Sequence, residues 1–238
     1  KIISILLVFI MLMSGQGFAQ VLPYMPPAGR ILSISTVKYD LPYLVGMRFN
    51  SPGGSRTPPT SDLFAFTFIL NRGNTPAKEV ELRTQAETIN KYFLAALTIP
   101  EKDLWVNLSP YEQNRIITPE LSRTDLGQDL LGEDYVLKQL AASLTHPETP
   151  SGKAYWNNST NSTNSLTKIW IVPGVIKLLE SHDRVVITEA TLKVKAQDNN
   201  PAMQAIIPAI EKEVNNGQHF AKLRQLYRAI IIAGWCKK

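Results

Sequence analysis

The chain has 238 residues, of which 44% are hydrophobic, and a formal net charge of +5. The charge is spread along the chain without a run of five basic residues. The composition therefore argues against a dedicated nucleic-acid binder, and we expect no nucleic acid among its partners. Cys236 is the only cysteine, which excludes an internal disulfide, so an ordinary hydrophobic core must hold the fold.

The first nineteen residues have the pattern of a secretory signal peptide. Lys1 precedes the apolar run 2–13, and small residues stand before a cleavage point after Ala19. The run is too short to span a bilayer, which needs about 20 apolar residues. We therefore expect an exported protein of the periplasm, cell envelope or medium, with no membrane span after signal cleavage. Three prolines make residues 20–30 an extended lead-in.

Two strands and a helix are predicted next. Aromatic and branched residues predict strands at 43–49 and 63–70, joined as a hairpin by a long loop rich in proline and glycine. The second strand is apolar on both faces, which is typical of a central strand. A helix begins after Thr75-Pro76 and ends at Pro100, with one apolar face spaced by three and four residues.

The stretch "DLWVNLSPYEQNRII" (103–117) combines a short predicted strand, 103–108, with a helix start. Ser109, followed by Pro110 and then Glu112, fits a capping box with proline at the first helical position. Thr118-Pro119 repeats the cap and the proline. The pattern therefore favours a structural role for this stretch.

A functional alternative uses the same helix start. Its free N–H groups could receive an anion or a partner's carboxylate, with Arg115 as a bidentate donor. Trp105, Ser109 and Arg115 are accordingly the candidate residues for an interaction or anion site.

The middle of the chain predicts one long helix and then a loop. Apolar residues on one stripe indicate a helix from Pro119 to Leu144, which stops at His146-Pro147. A mobile loop is predicted at about 147–167, because the polar tract "NNSTNSTNS" (157–165) cannot bury apolar area.

Two strands and two helices complete the chain. The strands are predicted at 168–172 and 184–195, the second with Val186, Leu192 and Val194 sharing one face of a sheet that is covered on one side. A helix beginning at Asn200-Pro201 contains Pro208, which should kink or split it, and Gly217 separates it from a last helix. The elements do not alternate as βαβ units. We therefore predict one α+β domain over 31–238, with a mostly antiparallel or mixed sheet and several amphipathic helices packed on one face.

Residue patterns for catalysis or metal binding are lacking in the sequence. The three histidines have no second histidine or cysteine at metal-ligand spacing, and no known catalytic motif occurs. We expect no cofactor and name no catalytic residue. The local acidic pairs Glu101/Asp103 and Glu133/Asp134 are typical of a solvated face.

Four blocks of the chain resemble a known family. They are "KYFLAALTIPEKDLWVNLSPYEQNRII", "LGQDLLGEDYVLKQLAASLTHPE", "KIWIVPG" and "EKEVNNGQHFAKLRQLYRAIIIAGW". In this order they are similar to an uncharacterised family found in large exported proteins of uncultivated bacteria, and the resemblance covers most of residues 40–238. It implies no activity, cofactor or catalytic residue. Relatives continue beyond the position of Lys238, so we expect this chain to be the N-terminal part of a longer protein.

The sequence thus favours a non-enzymatic structural or interaction module of the bacterial cell envelope. Two alternatives remain. One is an envelope hydrolase whose catalytic residues are dispersed or lie beyond Lys238, and the other is a binder of an anionic ligand at helix N-termini. The expected partner is an envelope protein or a small anionic ligand.

Overall fold

A computed structural model of the chain describes one antiparallel sheet with helices packed against it. The described residues are 25–50, 65–76, 79–104, 117–150, 152–153, 169–197 and 201–238. The strands are β1 Tyr43–Asn50, β2 Ala65–Asn71, β3 Ile169–Ser181 and β4 Arg184–Ala196. The helices are α1 Glu79–Thr98, α2 Pro119–Ser122, α3 Asp125–Leu144, α4 Pro201–Asn216 and α5 Ala221–Cys236. The predicted α+β class is confirmed. The predicted signal peptide and most of the loop predicted at 147–167 lie outside the described residues.

The sheet has the order β2-β1-β4-β3, and each neighbouring pair is antiparallel. The predicted pairing of the first two strands is confirmed. The predicted central position of the second strand is wrong, because β2 is an edge strand. Its two apolar faces have different surroundings. On one face Phe66 and Phe68 contact the ring of Phe93 on α1, whereas Ile69 on the other face is 38% exposed.

The strand β3 is longer than predicted, because it continues through Pro173 and Gly174 to Ser181. Proline is tolerated there because β3 forms the other edge of the sheet, where a missing N–H breaks no central ladder. The register shifts between Pro173 and Ile176, where the pairing is interrupted.

The two faces of β4 exchange places along the strand. Val185 and Ile187 are buried near its start, whereas Leu192 and Val194 are buried near its end. The predicted single alternation is therefore wrong. The cause is an irregularity at Thr188, since Leu178 pairs with Ile187 whereas Lys177 pairs with Glu189. One extra residue on β4 moves the following side chains to the opposite face.

The region between α1 and β3 differs from the prediction in two places. Asp103 belongs to a 3₁₀ turn, Glu101–Asp103, and not to a strand. The predicted helix from Pro119 to Leu144 is two helices. Thr118 caps the first by accepting the Leu121 N–H, as predicted, and Thr124 caps the second by accepting the Gly127 N–H. Threonine at both positions satisfies helix-start N–H groups that have no partner within the helix.

The predicted loop after α3 begins as a hydrogen-bonded turn. The hydroxyl of Thr149 donates to the carbonyl of His146 and accepts the N–H of Gly152. Residues 154–168 lie outside the described residues.

The last two helices cover the sheet. α4 contacts β4, and α5 contacts β1 on one side and α1, α3 and α4 on others. Pro208 does not split α4, because it lies on the exposed side, where water can take the place of the lost hydrogen bond. Gly217 ends α4 as predicted. α5 is buried on more than one side, since Leu226, Ala229 and Ile232 are fully buried and Leu223 and Tyr227 are nearly so.

An irregular segment, residues 25–42, runs over the helices before β1 begins. Its backbone hydrogen bonds are made largely by side chains of the helical layer. The Leu32 N–H donates to Ser143 Oγ, and the Ser35 N–H donates to Glu213 Oε2. Arg224 donates to the carbonyl of Tyr39, and Gln225 donates to that of Pro42. This lead-in segment is therefore fastened to α3, α4 and α5.

Candidate functional site

The candidate residues from sequence, Trp105, Ser109 and Arg115, lie outside the described residues, as does Glu112. The neighbouring cap at Thr118 is formed, but it supports a helix of only four residues. The site therefore has to be sought in the polar groups and surfaces that the structure describes. Two features stand out: a buried polar cluster between α1, α3 and α5, and the face of the sheet opposite the helices.

The buried polar cluster is centred on Asp129 of α3. Its Oδ2 accepts a hydrogen bond from Tyr92 Oη of α1 at 2.5 Å, and its Oδ1 accepts one from Lys222 Nζ of α5 at 2.7 Å. Tyr92 is fully buried, and burial, followed by the charge of Asp129, raises its pKa, so the phenol remains a donor. A carboxylate with two charge-assisted hydrogen bonds is well suited to hold three helices together.

Glu133 lies one helical turn beyond Asp129 and is 5% exposed. Burial raises the pKa of Glu133 to about 8, against the opposing effect of Lys222 and Arg224 and with a smaller contribution from the charge of Asp129. Its Oε2 has no hydrogen-bond partner among the described residues. At neutral pH the side chain is therefore mainly a neutral acid.

The prediction that Glu133/Asp134 forms a solvated acidic pair is wrong. Asp134 is 9% exposed and accepts a hydrogen bond from Lys138. Both carboxyl groups are buried because α3 is covered by α1, α5 and β3 and by the lead-in segment as well. The sequence showed one apolar stripe on this helix, and the polar groups outside that stripe gave no sign of their burial.

The geometry of the cluster fits a role in holding the helices together. Asp129 is committed to Tyr92 and Lys222, and neither of the two described cavities is lined by Asp129 or Glu133. A general acid or base has to lie within hydrogen-bond reach of the group that it protonates or deprotonates. The described cavities bring no substrate within that reach of these two carboxyl groups.

The second feature is the face of the sheet opposite the helices, here called the outer face. Met47 pairs with Val185, and both are fully buried on the helix side. Partners across an antiparallel ladder share a face and neighbours along a strand alternate, so Gly46 and Arg48 belong to the outer face. Gly46 fits there without a side chain, because a Cβ would come within 2.3 Å of the Val185 carbonyl oxygen.

An apolar row crosses the outer face from edge to edge. Ile69 pairs with Gly46, Gly46 with Val186, and Val186 with Leu179. Leu179 is 64% exposed, the largest exposed fraction among these four residues. Trp170 and Val172 extend the apolar part of this face along β3, paired with Lys195 and Lys193 of β4.

Basic side chains lie beside the apolar row and further along β4, where Lys193 and Lys195 pair with Val172 and Trp170. The outer face contains Arg48, Lys177, Arg184, Lys193 and Lys195, with Glu189 as its acidic member. Arg48 pairs with Asp183 at 2.9 Å, and Lys177 pairs with Glu189 at 2.6 Å. The other three, Arg184, Lys193 and Lys195, are exposed and have no ion-pair partner in the described part of the chain. The outer face is therefore both apolar and positively charged.

The sequence carried a partial signal for this surface. The alternation in "TLKVK" predicts a one-sided strand with Lys193 and Lys195 outside. Leu179 and Lys177 were missed, since Pro173-Gly174 reads as the end of a strand. Apolar and polar residues do alternate in part of "VIKLLES", which follows the proline. In an edge strand this alternation is a better guide to the end of the strand than the proline is.

Metal and membrane features can be stated for the described ranges only. No group of three histidine, cysteine, aspartate or glutamate side chains in them is arranged to hold a metal ion. None of the helices in these ranges has the length and apolar character needed to cross a membrane.

Comparison with protein-family models, with curated proteins and with solved structures finds no match for this chain.

Proposed function

We propose that this chain is a non-enzymatic interaction module of the bacterial cell envelope, exported by its signal peptide, whose outer face binds an envelope protein. The observation that supports the proposal is the combination on one face of Leu179, 64% exposed, with Arg184, Lys193 and Lys195, three cations that have no ion-pair partner among the described residues. The bacterial envelope enters the proposal through the resemblance of the sequence to exported proteins of uncultivated bacteria.

The chemistry of the outer face favours an acidic partner with an apolar centre. Exposed apolar side chains contribute affinity when a partner buries them away from water. Leu179 and Val186 lie side by side on adjacent strands and offer such a surface. The cations along the same face would meet carboxylates on the partner, which speeds association and disfavours partners with basic surfaces. Such a contact weakens as salt is added, because surface charges are screened within about 10 Å at 0.1 M ionic strength.

The buried polar cluster gives the hydrolase alternative no specific support. A hydrolase of dispersed catalytic residues needs carboxyl groups that a substrate can reach. Asp129 instead holds Tyr92 and Lys222, and Glu133 is enclosed between helices. We therefore place the function on the surface and assign the cluster to the stability of the helical layer.

The test is affinity capture from a cell-envelope extract with matched variants. The outer-face variants are Leu179→Glu and the double substitution Lys193→Glu with Lys195→Glu. The control is a double substitution of the same charge change elsewhere, Lys212→Glu on α4 with Lys102→Glu in the 3₁₀ turn Glu101–Asp103, both exposed and both outside the outer face. Bound proteins are quantified by mass spectrometry at low and high salt.

We expect one acidic envelope protein to be retained by the wild type and by the control but lost from both outer-face variants. Its retention should fall as salt rises. Equal retention by all the proteins, with melting temperatures unchanged, would show that the outer face is not the binding surface.

A further inference from the structure

A cavity of about 70 Å³ lies on the helix-covered side of the sheet, away from the outer face. It is enclosed by the end of the lead-in segment, by β4 and by the first two turns of α5. Its walls combine apolar side chains, such as Leu192, with the polar side chains Lys38, Tyr43, Arg224, Tyr227 and Arg228. The volume counts the space open to the centre of a water-sized sphere, and one water needs roughly 10–15 Å³ of it. The cavity therefore has room for a group of about five heavy atoms.

The charges that line the cavity do not balance. Lys38, Arg224 and Arg228 are cations and Asp40 is the one acid of the lining, which leaves a net charge of +2. Asp40 is shared, because it pairs with Lys38 at 3.1 Å and with Arg224 at 3.3 Å. Arg224 also donates to the carbonyls of Tyr39, Val214 and Gly217, so four of its five N–H groups are used.

Arg228 differs from Arg224 in its surroundings. Its guanidinium carbon lies 4.5 Å above the ring of Tyr43, and it has no hydrogen bond or ion pair with any described residue. Burial lowers the pKa of Arg228, with Tyr43 and Asp40 acting in the opposite direction, but an arginine stays charged at neutral pH. A partly buried cation with only an aromatic ring as a partner is poorly compensated.

We propose that this cavity binds a small oxyanion, the carboxylate or phosphate group of a small molecule, with Arg228 as its principal ligand. The contact with the Tyr43 ring uses no N–H group of the guanidinium, so these groups are available for a bidentate contact. Lys38 supplies a second positive charge at the rim. The inference concerns a different surface from the outer face and does not rest on the proposed function.

The test is isothermal titration calorimetry with two probes, sodium phosphate and sodium acetate, at constant ionic strength set with sodium chloride. The proteins are the wild type, Arg228→Met, Arg228→Lys and Lys38→Met. Methionine keeps apolar contact with Tyr43 and removes the charge, whereas lysine keeps the charge and removes the planar fork. Lys193→Met is the matched control, because it removes a cation from the outer face.

We expect saturable heat from at least one probe, and the probe that binds identifies the group. Arg228→Met should weaken binding by about 10- to 100-fold, in line with the loss of a charge-assisted contact. Arg228→Lys should lose less affinity than Arg228→Met, because it keeps the charge. Lys38→Met should also lose less affinity than Arg228→Met, and Lys193→Met should bind as the wild type does.

Any of three results would overturn the inference: no saturable binding of either probe by the wild type below about 10 mM, unchanged binding by a folded Arg228→Met, or equal weakening by Lys193→Met. If Arg228→Met does not fold, Arg228→Lys and Lys38→Met decide, and unchanged binding in both would also refute it. The affinity capture described above is independent of these outcomes, since its variants lie on the opposite side of the sheet.

Discussion

The hydroxyl of Tyr92 on α1 lies 2.5 Å from the carboxylate of Asp129 on α3, inside the helical layer. The contact joins two helices that also pack against each other through apolar side chains. Lys222 of α5 reaches the other oxygen of the same carboxylate, so one acidic side chain links three helices. The stability of the helical layer should therefore respond to small changes at these positions.

Tyr92→Phe should destabilise the fold by about 1.5–3 kcal/mol, because it removes a buried hydrogen bond to a charged group and retains the ring. The measurement is urea denaturation at pH 7. Tyr135→Phe is the control: its hydroxyl donates to the carbonyl of Pro26 at 3.4 Å, a long contact whose loss should cost under about 0.5 kcal/mol. Equal stability of Tyr92→Phe and wild type would show that the contact contributes nothing.

Glu133 should make the stability fall as the pH rises. Its pKa is 4.5 in the unfolded chain and about 8 in the folded one, so between these values the folded state holds a proton that the unfolded state has lost. The contribution is complete below pH 4.5, falls by about 1.4 kcal/mol per pH unit above it, and levels off above pH 8.

Glu133→Gln should remove this part of the pH dependence. The free energy of unfolding is measured at pH 5, 6, 7 and 8 for the wild type, for Glu133→Gln and for Glu87→Gln, an exposed glutamate on α1. Other titrating groups affect all three proteins, so the difference between the curves is the readout. Parallel curves for the wild type and Glu133→Gln would mean that the buried carboxyl is not protonated near neutral pH.

Two glycines should respond to alanine in opposite directions. A Cβ at Gly217 would lie 1.8 Å from Oε1 of Glu213, whose carboxylate is fully buried and accepts the Ser35 N–H. A Cβ at Gly234, inside α5, would have no atom within 4 Å apart from its chain neighbours and the backbone of its own helix. Gly217→Ala should cost about 1–3 kcal/mol by overpacking, whereas Gly234→Ala should stabilise by about 0.5–1 kcal/mol. Thermal melts that shifted in the same direction for both would contradict this account.

The sequence also makes a prediction for the stretch outside the described residues. If Ser109 and Glu112 form a capping box, Ser109→Ala should destabilise by about 0.5–2 kcal/mol and Ser109→Gly by only a few tenths. Arg115→Ala should be nearly silent in stability. A stable Ser109→Ala protein that lost its partner in affinity capture would instead favour the interaction or anion site at Trp105, Ser109 and Arg115.

Export can be tested directly. The mature protein from an exporting host should begin at Gln20, because cleavage is expected after Ala19. N-terminal sequencing of the purified protein gives the answer. A membrane-bound product that still began at Ile2 or Ile3 would refute signal cleavage.

The fold was predictable wherever the spacing of apolar residues along the sequence was enough to identify a helix or a strand. The apolar spacing in α1 and α3 and the branched residues of β1 and β4 gave those elements and the α+β class. Strand order was not predictable, because an apolar edge strand such as β2 looks the same in sequence as a central one. The extra residue at Thr188 was equally hidden, since a bulge follows from pairing with β3 and not from local residue preference.

The candidate site was less predictable than the fold. Lys193 and Lys195 are visible in the alternation of β4, but the apolar row on the same face exists only when four strands are aligned. The acidic side chains of α3 look solvated because sequence shows their polarity and not the number of elements that cover their helix. Surfaces and buried networks of this kind depend on contacts between distant parts of the chain.

The fastening of the lead-in segment has a consequence for how the protein opens. Its backbone is bonded to Ser143 and Glu213, and Arg224 joins it to the turn between α4 and α5. An irregular segment with free amides would exchange its hydrogens with solvent by local fraying. Here the amides of Leu32 and Ser35 can exchange only when their acceptors on the helices are released. In hydrogen exchange, residues 32–40 should therefore behave as part of the same cooperative unit as α3, α4 and α5.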